Sequence, residues 1–292
     1  MFKLLKDSVI HFAKDNAPRH AAALAYYSLF SIAPLLIIAV AIIGAVYGED
    51  AAQGLIVDQL GDMMGEGAAR YVEDLIVQAA RPTSGITATL ISVAILLWGA
   101  SRVFNHLRAS INSIWHIRLK EKLGIVHKIK MKAFALILVL FSGLFLLATA
   151  VLNTVIFALI DRIEEYTPTI PFLWQTVNFF FLYAVTTFIF ALILKYIPNA
   201  KLDWITATIG ALFTSFLFSV GRILLGIYLS EFSVTSTYGA AGSLVAVLIW
   251  LYYSAQILFL GAEFTQQYAN SRGTPIEPSR DASAVKIIES GT

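Results

Sequence analysis

The sequence contains no cysteine, which excludes disulfides, thiolate metal sites and a cysteine nucleophile. It is also poor in charge. Asp, Glu, Lys and Arg make up 14% of its 292 residues, where soluble domains average about 25%. That is too little to coat a surface in water, so neither a soluble enzyme nor a disordered chain is expected. No glycine-rich phosphate loop for ATP occurs. No duplicated half with matched broken helices occurs either, although many secondary transporters carry one. The net charge of +2 is too small to argue for a nucleic-acid partner.

What is abundant is hydrocarbon. Apolar residues make up 58% of the chain, and the mean hydropathy is +0.74. The solvent implied is a bilayer. A spanning helix needs about 20 mostly apolar residues. Six runs qualify: Ser28 to Tyr47, Gly85 to Ala100 (extendable to Phe104), Ala133 to Ile160, Phe172 to Leu194, Trp204 to Leu229 and Ser243 to Phe264. All six are read as helices, because backbone groups in hydrocarbon must bond within their own segment. The expected fold is all-α: a polytopic membrane protein with six transmembrane helices plus amphipathic surface helices. Residues 1–27 form an amphipathic N-terminal segment, 28–264 a single membrane domain and 265–292 a tail.

Basic residues orient it. Lys and Arg concentrate on the cytoplasmic side. Seventeen lie in the N-terminus, the loops at 101–132 and 195–203, and the tail; only Arg70, Arg81 and Arg162 lie in the loops at 48–84, 161–171 and 230–242. Both termini are therefore expected in the cytoplasm. Phe2 to Phe12 alternate apolar and charged positions at helical spacing, which suits a helix lying on the membrane surface. Val103, Phe104, Leu107, Ile111, Ile114 and Trp115 form a second stripe, with Arg102, Asn105, Arg108 and Asn112 off that face. That pattern reads as an interfacial helix near anionic head groups, or simply as the positive-inside rule at work. The acidic loop 48–84 carries a third stripe, from Ala68 to Ala79. Asp58, Asp62 and Glu66 recur every four residues there, a row that reads as a solvated face; no metal site or other cofactor is expected.

Ionisable groups inside spans are rare and face a bundle interior or a cavity. Arg222 lies seven residues before the outer end of the fifth run, about 10 Å deep at 1.5 Å per residue. Asn153 and Asn178 reach a similar depth in the third and fourth runs, so the three are expected to form one polar layer. Ala211, Ser215, Ser219, Arg222 and Gly226 share a helix face, with residues small enough for close helix approach. A buried guanidinium suits a phosphate or carboxylate. The alternatives are a structural pair with Asp161, Glu164 or Glu231, or snorkelling to the surface. Tyr252, Gln256 and Glu263 share a face of the sixth run. Glu263 reads either as the end of a polar path or as an ordinary acid at a helix end.

Several segments together carry a resemblance: Leu24 to Pro34 (LAYYSLFSIAP), Trp98 to Arg102 with Asn112-Ser-Ile-Trp115, Tyr196-Ile-Pro-Asn199, Gly221-Arg222 with Tyr228, and Tyr238-Gly-Ala-Ala with Trp250-Leu-Tyr-Tyr253 and Gly261-Ala-Glu263. The chain resembles the BrkB/YihY family of bacterial inner-membrane proteins from its N-terminal helix to Glu263. The tail matches nothing in that pattern. The resemblance implies six spans with both ends inside. It also brings an old label of ribonuclease BN. The residues argue against that label, since metal-dependent hydrolysis needs clustered ligands. His11, His20, His106, His116 and His127 form no close ligand pair in the sequence, so no catalytic residue is expected. The reading that results is a transporter-like protein, moving or admitting a lipid or other amphiphilic anion. The alternative is an envelope scaffold binding a periplasmic protein through its acidic loop. Membrane lipids are the expected partners, and nucleic acid is not expected.

Overall fold

The computed structural model describes residues 2–31, 102–120, 170–231 and 242–285, with isolated positions between 48 and 77. The expected spans Gly85 to Ala100 and Ala133 to Ile160, the first span beyond residue 31, nearly all of the acidic loop and the basic segment after 120 lie outside the described residues. Helix predominates in what is described. It comprises α1 (Phe2–Lys14), α2 (helical over 17–31), α3 (102–114), α4 (Ile170–Tyr196), α5 (Trp204–Glu231) and α6 (Gly242–Ser271).

Three of these helices are long and apolar enough to cross a membrane, over Phe179–Tyr196, Trp204–Tyr228 and Leu244–Ser271. They coincide with the fourth, fifth and sixth expected spans. Local chemistry sets their ends. Pro171 sits in the first turn of α4, where its missing N–H is no loss, and Pro198 follows the last turn. Asp203 caps α5, accepting the Thr206 backbone N–H at 2.9 Å. Burial pushes the Asp203 carboxyl up, but hydrogen bonds from Thr206 prevail and hold it below its ordinary value. Beyond α6, Gly273 takes a φ of 72°, the left-handed conformation that closes a helix and that glycine adopts without strain. The outward faces of α4 and α5 present Phe179, Phe180, Phe188, Phe216, Ile223 and Leu224. Such a surface is tolerable only where hydrocarbon covers it.

α5 packs between α4 and α6. Its contact with α6 is built from two copies of one short pattern, Gly210 to Thr214 (GALFT) and Gly261 to Thr265 (GAEFT). A methyl at Gly210 would overlap the Thr265 hydroxyl, and a methyl at Gly261 would overlap that of Thr214. Each threonine donates back to the glycine carbonyl four residues earlier in its own helix, at 2.7 and 2.6 Å. Phe213 and Phe264 stack beside them with centroids 4.0 Å apart. Small residues thus let the backbones meet, as membrane helix pairs require.

The core lies at one end of the bundle, here termed the base. Ala21, Ile111, Ile114, Leu194, Ile197, Ala211, Phe259 and Ala262 are buried together, drawn from α2 through α6. α1 packs against α6 and leaves Leu5, Val9 and Ile10 exposed, an apolar edge that fits a helix lying on a membrane. α3 differs from expectation. Its stripe of Phe104, Leu107, Ile111, Ile114 and Trp115 is buried in the protein core, and Arg108 and Asn112 are buried as well. An apolar helix face has the same spacing whether protein or lipid covers it, and here protein covers it.

The tail is built into the base. β4 (Ala282–Ala284) pairs antiparallel with β1 (Ile117–Leu119), and β3 (Glu277–Pro278) pairs with β2 (Ala200–Lys201). The Val285 N–H donates to His116 O at 2.8 Å and the Ser279 N–H to Asn199 O at 2.9 Å. The tail therefore straps the ends of α3 and α4 together.

Candidate functional site

Three hydrogen-bonded joints shape the base. The Arg108 Nε–H donates to Ile197 O at 2.9 Å. Burial pulls this guanidinium below its ordinary value without discharging it. The Asn112 side-chain amide donates to Asn199 Oδ1 at 3.0 Å, and its own oxygen accepts the Asn199 backbone N–H at 2.8 Å. The Trp115 indole donates to Ala262 O at 3.0 Å. Asn112 and Trp115, Tyr196 to Asn199, and Gly261 to Glu263 are separate motifs in the sequence. In space they are one knot.

Within it lies the group with the highest stakes. Glu263 has 0% exposure, and neither of its oxygens meets a donor among the described residues. What it faces within hydrogen-bonding reach is another carboxyl, Asp15. One Asp15 oxygen is likewise buried without a donor. The other lies 3.4 Å from His116 Nε2. Two turns aim these groups. Asn16 and His116 both take a φ of 54°, a left-handed conformation that Asn and His adopt more readily than most residues. Each lies just past the end of a helix, where such a residue reverses the chain. Asp15 and His116 are thereby turned toward α6.

Two further histidines adjoin. The His20 and His106 rings lie 6.0 Å apart, and His106 Nε2 is 3.1 Å from His20 O. Burial lowers His20 below its ordinary value, and His106 and Arg19 lower it further, against an opposing pull from Asp15. Among the described residues no three acid or histidine side chains converge as metal ligands.

The expected polar layer fares differently. Ser215 is fully buried and Ser219 half-buried, but Arg222 is exposed. Its expected place inside the bundle is therefore corrected. The packed stripe of α5 runs through Ala207, Ala211, Thr214, Gly221 and Leu225, and Tyr253 of α6 covers Gly221. Arg222 is one residue, about 100°, off that last contact. Asn178 lies in α4, and Asn153 lies outside the described residues, so neither is placed beside Arg222. Tyr252 and Gln256 are half-buried on α6. Asp15, His20, His106 and His116 were not singled out as site residues from the sequence, since only the fold brings them near Glu263. Four of the five histidines fall in described segments, and three of those gather at the base.

Known proteins match most of the chain. The family described as "Virulence factor BrkB" matches residues 9–285, which takes in both Asp15 and the tail strand β4. A UPF0761 membrane protein of Mannheimia succiniciproducens is 26% identical over 89% of this chain and 88% of its own length. One of Pseudoalteromonas translucida is 25% identical over 86% of this chain and 81% of its own. One of Rhodospirillum centenum is 26% identical over 98% of this chain but 62% of its own length. The chain thus spans about three-fifths of several relatives it matches. No solved structure matches it.

Proposed function

The chain belongs to the BrkB family of membrane proteins, and from that premise we propose that it is transporter-like, moving or admitting a lipid or other amphiphilic anion. The observation that carries this reading is the setting of Arg222. The guanidinium is exposed on α5 among Val220, Ile223, Leu224 and Ile227, which are exposed too. A fork-shaped cation in an aliphatic strip complements both halves of an anionic amphiphile. The fork suits a phosphate or carboxylate, and the strip suits its chains. A lipid-facing Leu would avoid a penalty that is about 2.5–3.5 kcal/mol at mid-span and smaller nearer the surface, which favours a use for Arg at this position.

In this reading the base faces the cytoplasm of an inner-membrane protein. The concentration of Lys and Arg there supports that orientation. So does the meeting of α1 and the tail at one end, as an even number of crossings requires. The ribonuclease label is not adopted, because metal-dependent hydrolysis needs clustered ligands and the five histidines form no close ligand pair in the sequence.

The test is reconstitution of the full chain into vesicles carrying a fluorescent anionic phospholipid. Leaflet exchange should exceed that of protein-free vesicles. Arg222→Leu should abolish the excess and Arg222→Lys should lower it. Exchange equal to protein-free vesicles overturns the proposal, and RNA degradation in a parallel assay with divalent metal would restore the nuclease reading.

A further inference from the structure

The Asp15–Glu263 contact makes little sense as structure alone. A fully buried carboxyl and a half-buried one within hydrogen-bonding reach cannot both be charged without strong repulsion. An uncompensated buried charge is destabilising, and well-packed apolar residues of similar volume serve stability as well or better. Glu263 is fully buried with no donor on either oxygen among the described residues, and Asp15 holds a second orphan oxygen toward it. What the pair lacks is one hydrogen.

We infer that Asp15 and Glu263 form a proton-binding site, loaded from the base through His116 and used to couple proton movement to the transport reaction. A proton between the carboxyls turns one of them into a donor and satisfies the contact. Access follows a gradient of exposure. Glu263 is sealed, while the Asp15 and His116 side chains are 16% and 25% exposed. The transfer is balanced: a hydronium ion at the base protonates the imidazole and is left as water, Nε2–H passes a proton to Asp15, and Asp15 shares it with Glu263. The imidazole is left neutral and one proton has been taken from the base. Half-buried Gln256 and Tyr252 continue along the same face of α6.

The surroundings favour a proton over a metal ion. α1 and the turn after it bring Asp15 and, beyond it, Arg19 and His20. α3 and the turn after it bring His106, Arg108 and His116, of which Arg108 is engaged with Ile197 O. α5 carries no titratable side chain from Trp204 to Gly221. The two carboxyls meet and His116 adjoins Asp15, but among the described residues no group of three such side chains is arranged to hold a metal ion.

Coupling rests on the transport reading, but proton binding does not, and two measurements separate them. The first is infrared spectroscopy of the full chain in detergent, stepped from acid to alkaline pH. A protonated-carboxyl band should persist at neutral pH and vanish in both Glu263→Gln and Asp15→Asn. Tryptophan emission of the full chain serves as the fold control in each sample. Where Glu263→Gln fails to fold, Asp15→Asn decides. Its amide donates to Glu263 in place of the proton, so the band should be lost while the fold persists. A band that is absent from the wild type, or unchanged in a folded variant, overturns the proton site. The second is lipid exchange in vesicles under an imposed pH gradient. The gradient should drive exchange in the wild type and have no effect in Asp15→Asn. Equal gradient response in both overturns the coupling. The band without any exchange in any vesicle leaves the proton site standing and overturns the transport reading.

Discussion

At the base, six helical segments and two short strand pairs close around a hydrogen-bonded knot in which even an arginine and a glutamate are buried. Toward the other end of α5 the surface opens, and Arg222 stands exposed among Ile223, Leu224 and Ile227. The two regions treat charge in opposite ways. The base confines its ionisable groups and gives each a fixed neighbour. The open strip leaves its cation available. An acid or base inside an apolar helix is therefore informative through the surface it meets, and the same rule for intramembrane charge points to an internal proton at one place and an external anion at the other.

The contrast can be broken most severely at the contact of α5 with α6. Gly261→Leu should prevent folding, and Gly261→Ala should cost at least about 1–3 kcal/mol by overpacking. Removing the opposing hydroxyl with Thr214→Ala should recover part of the loss, read as thermal unfolding in detergent. Asn112→Ala should cost about 2 kcal/mol, since it deletes two hydrogen bonds and strands the Asn199 partners. Trp115→Phe should cost about 1 kcal/mol, because only the bond to the Ala262 carbonyl is lost. If either knot variant unfolds like the wild type, the base is not the rigid region described. Acid probes the same end more gently. His20 is lowered in the folded state, so below the ordinary value of 6.5 the unfolded chain takes up a proton that the folded chain refuses. Stability should fall as pH drops from there toward the folded value, and His20→Gln should flatten that part of the profile. The smallest effect on stability belongs to the open strip. Arg222→Leu should change it by no more than about 0.5 kcal/mol while removing lipid exchange. A large loss of folded protein would instead give Arg222 a structural role.

Part of this organisation was legible from spacing. The helices α4 to α6 fall where long apolar runs predict them, and α1 and α3 follow their apolar stripes. The fate of α3 was not legible, because spacing reports that a face is apolar and not what covers it. Arg108 and Asn112 look like a solvated face until the Ile197 carbonyl and Asn199, far along the chain, are brought to them. Glu263 was noticed but had an ordinary explanation at a helix end, and only the turn at Asn16 brings Asp15 to it. The repeat of GALFT as GAEFT was available to the eye. It is a pattern of five residues, and its meaning depends on two helices crossing there.

The carboxyl pair also has a history within each molecule. Asp15 leaves the ribosome early and Glu263 late, so while most of the chain is being made Asp15 remains an ordinary hydrated acid. Only when α6 arrives does Asp15 lose its water and gain a partner that rejects its charge. The arrival of α6 is thus also the step at which a proton must be captured, and a nascent chain halted before α6 would have no site to fill.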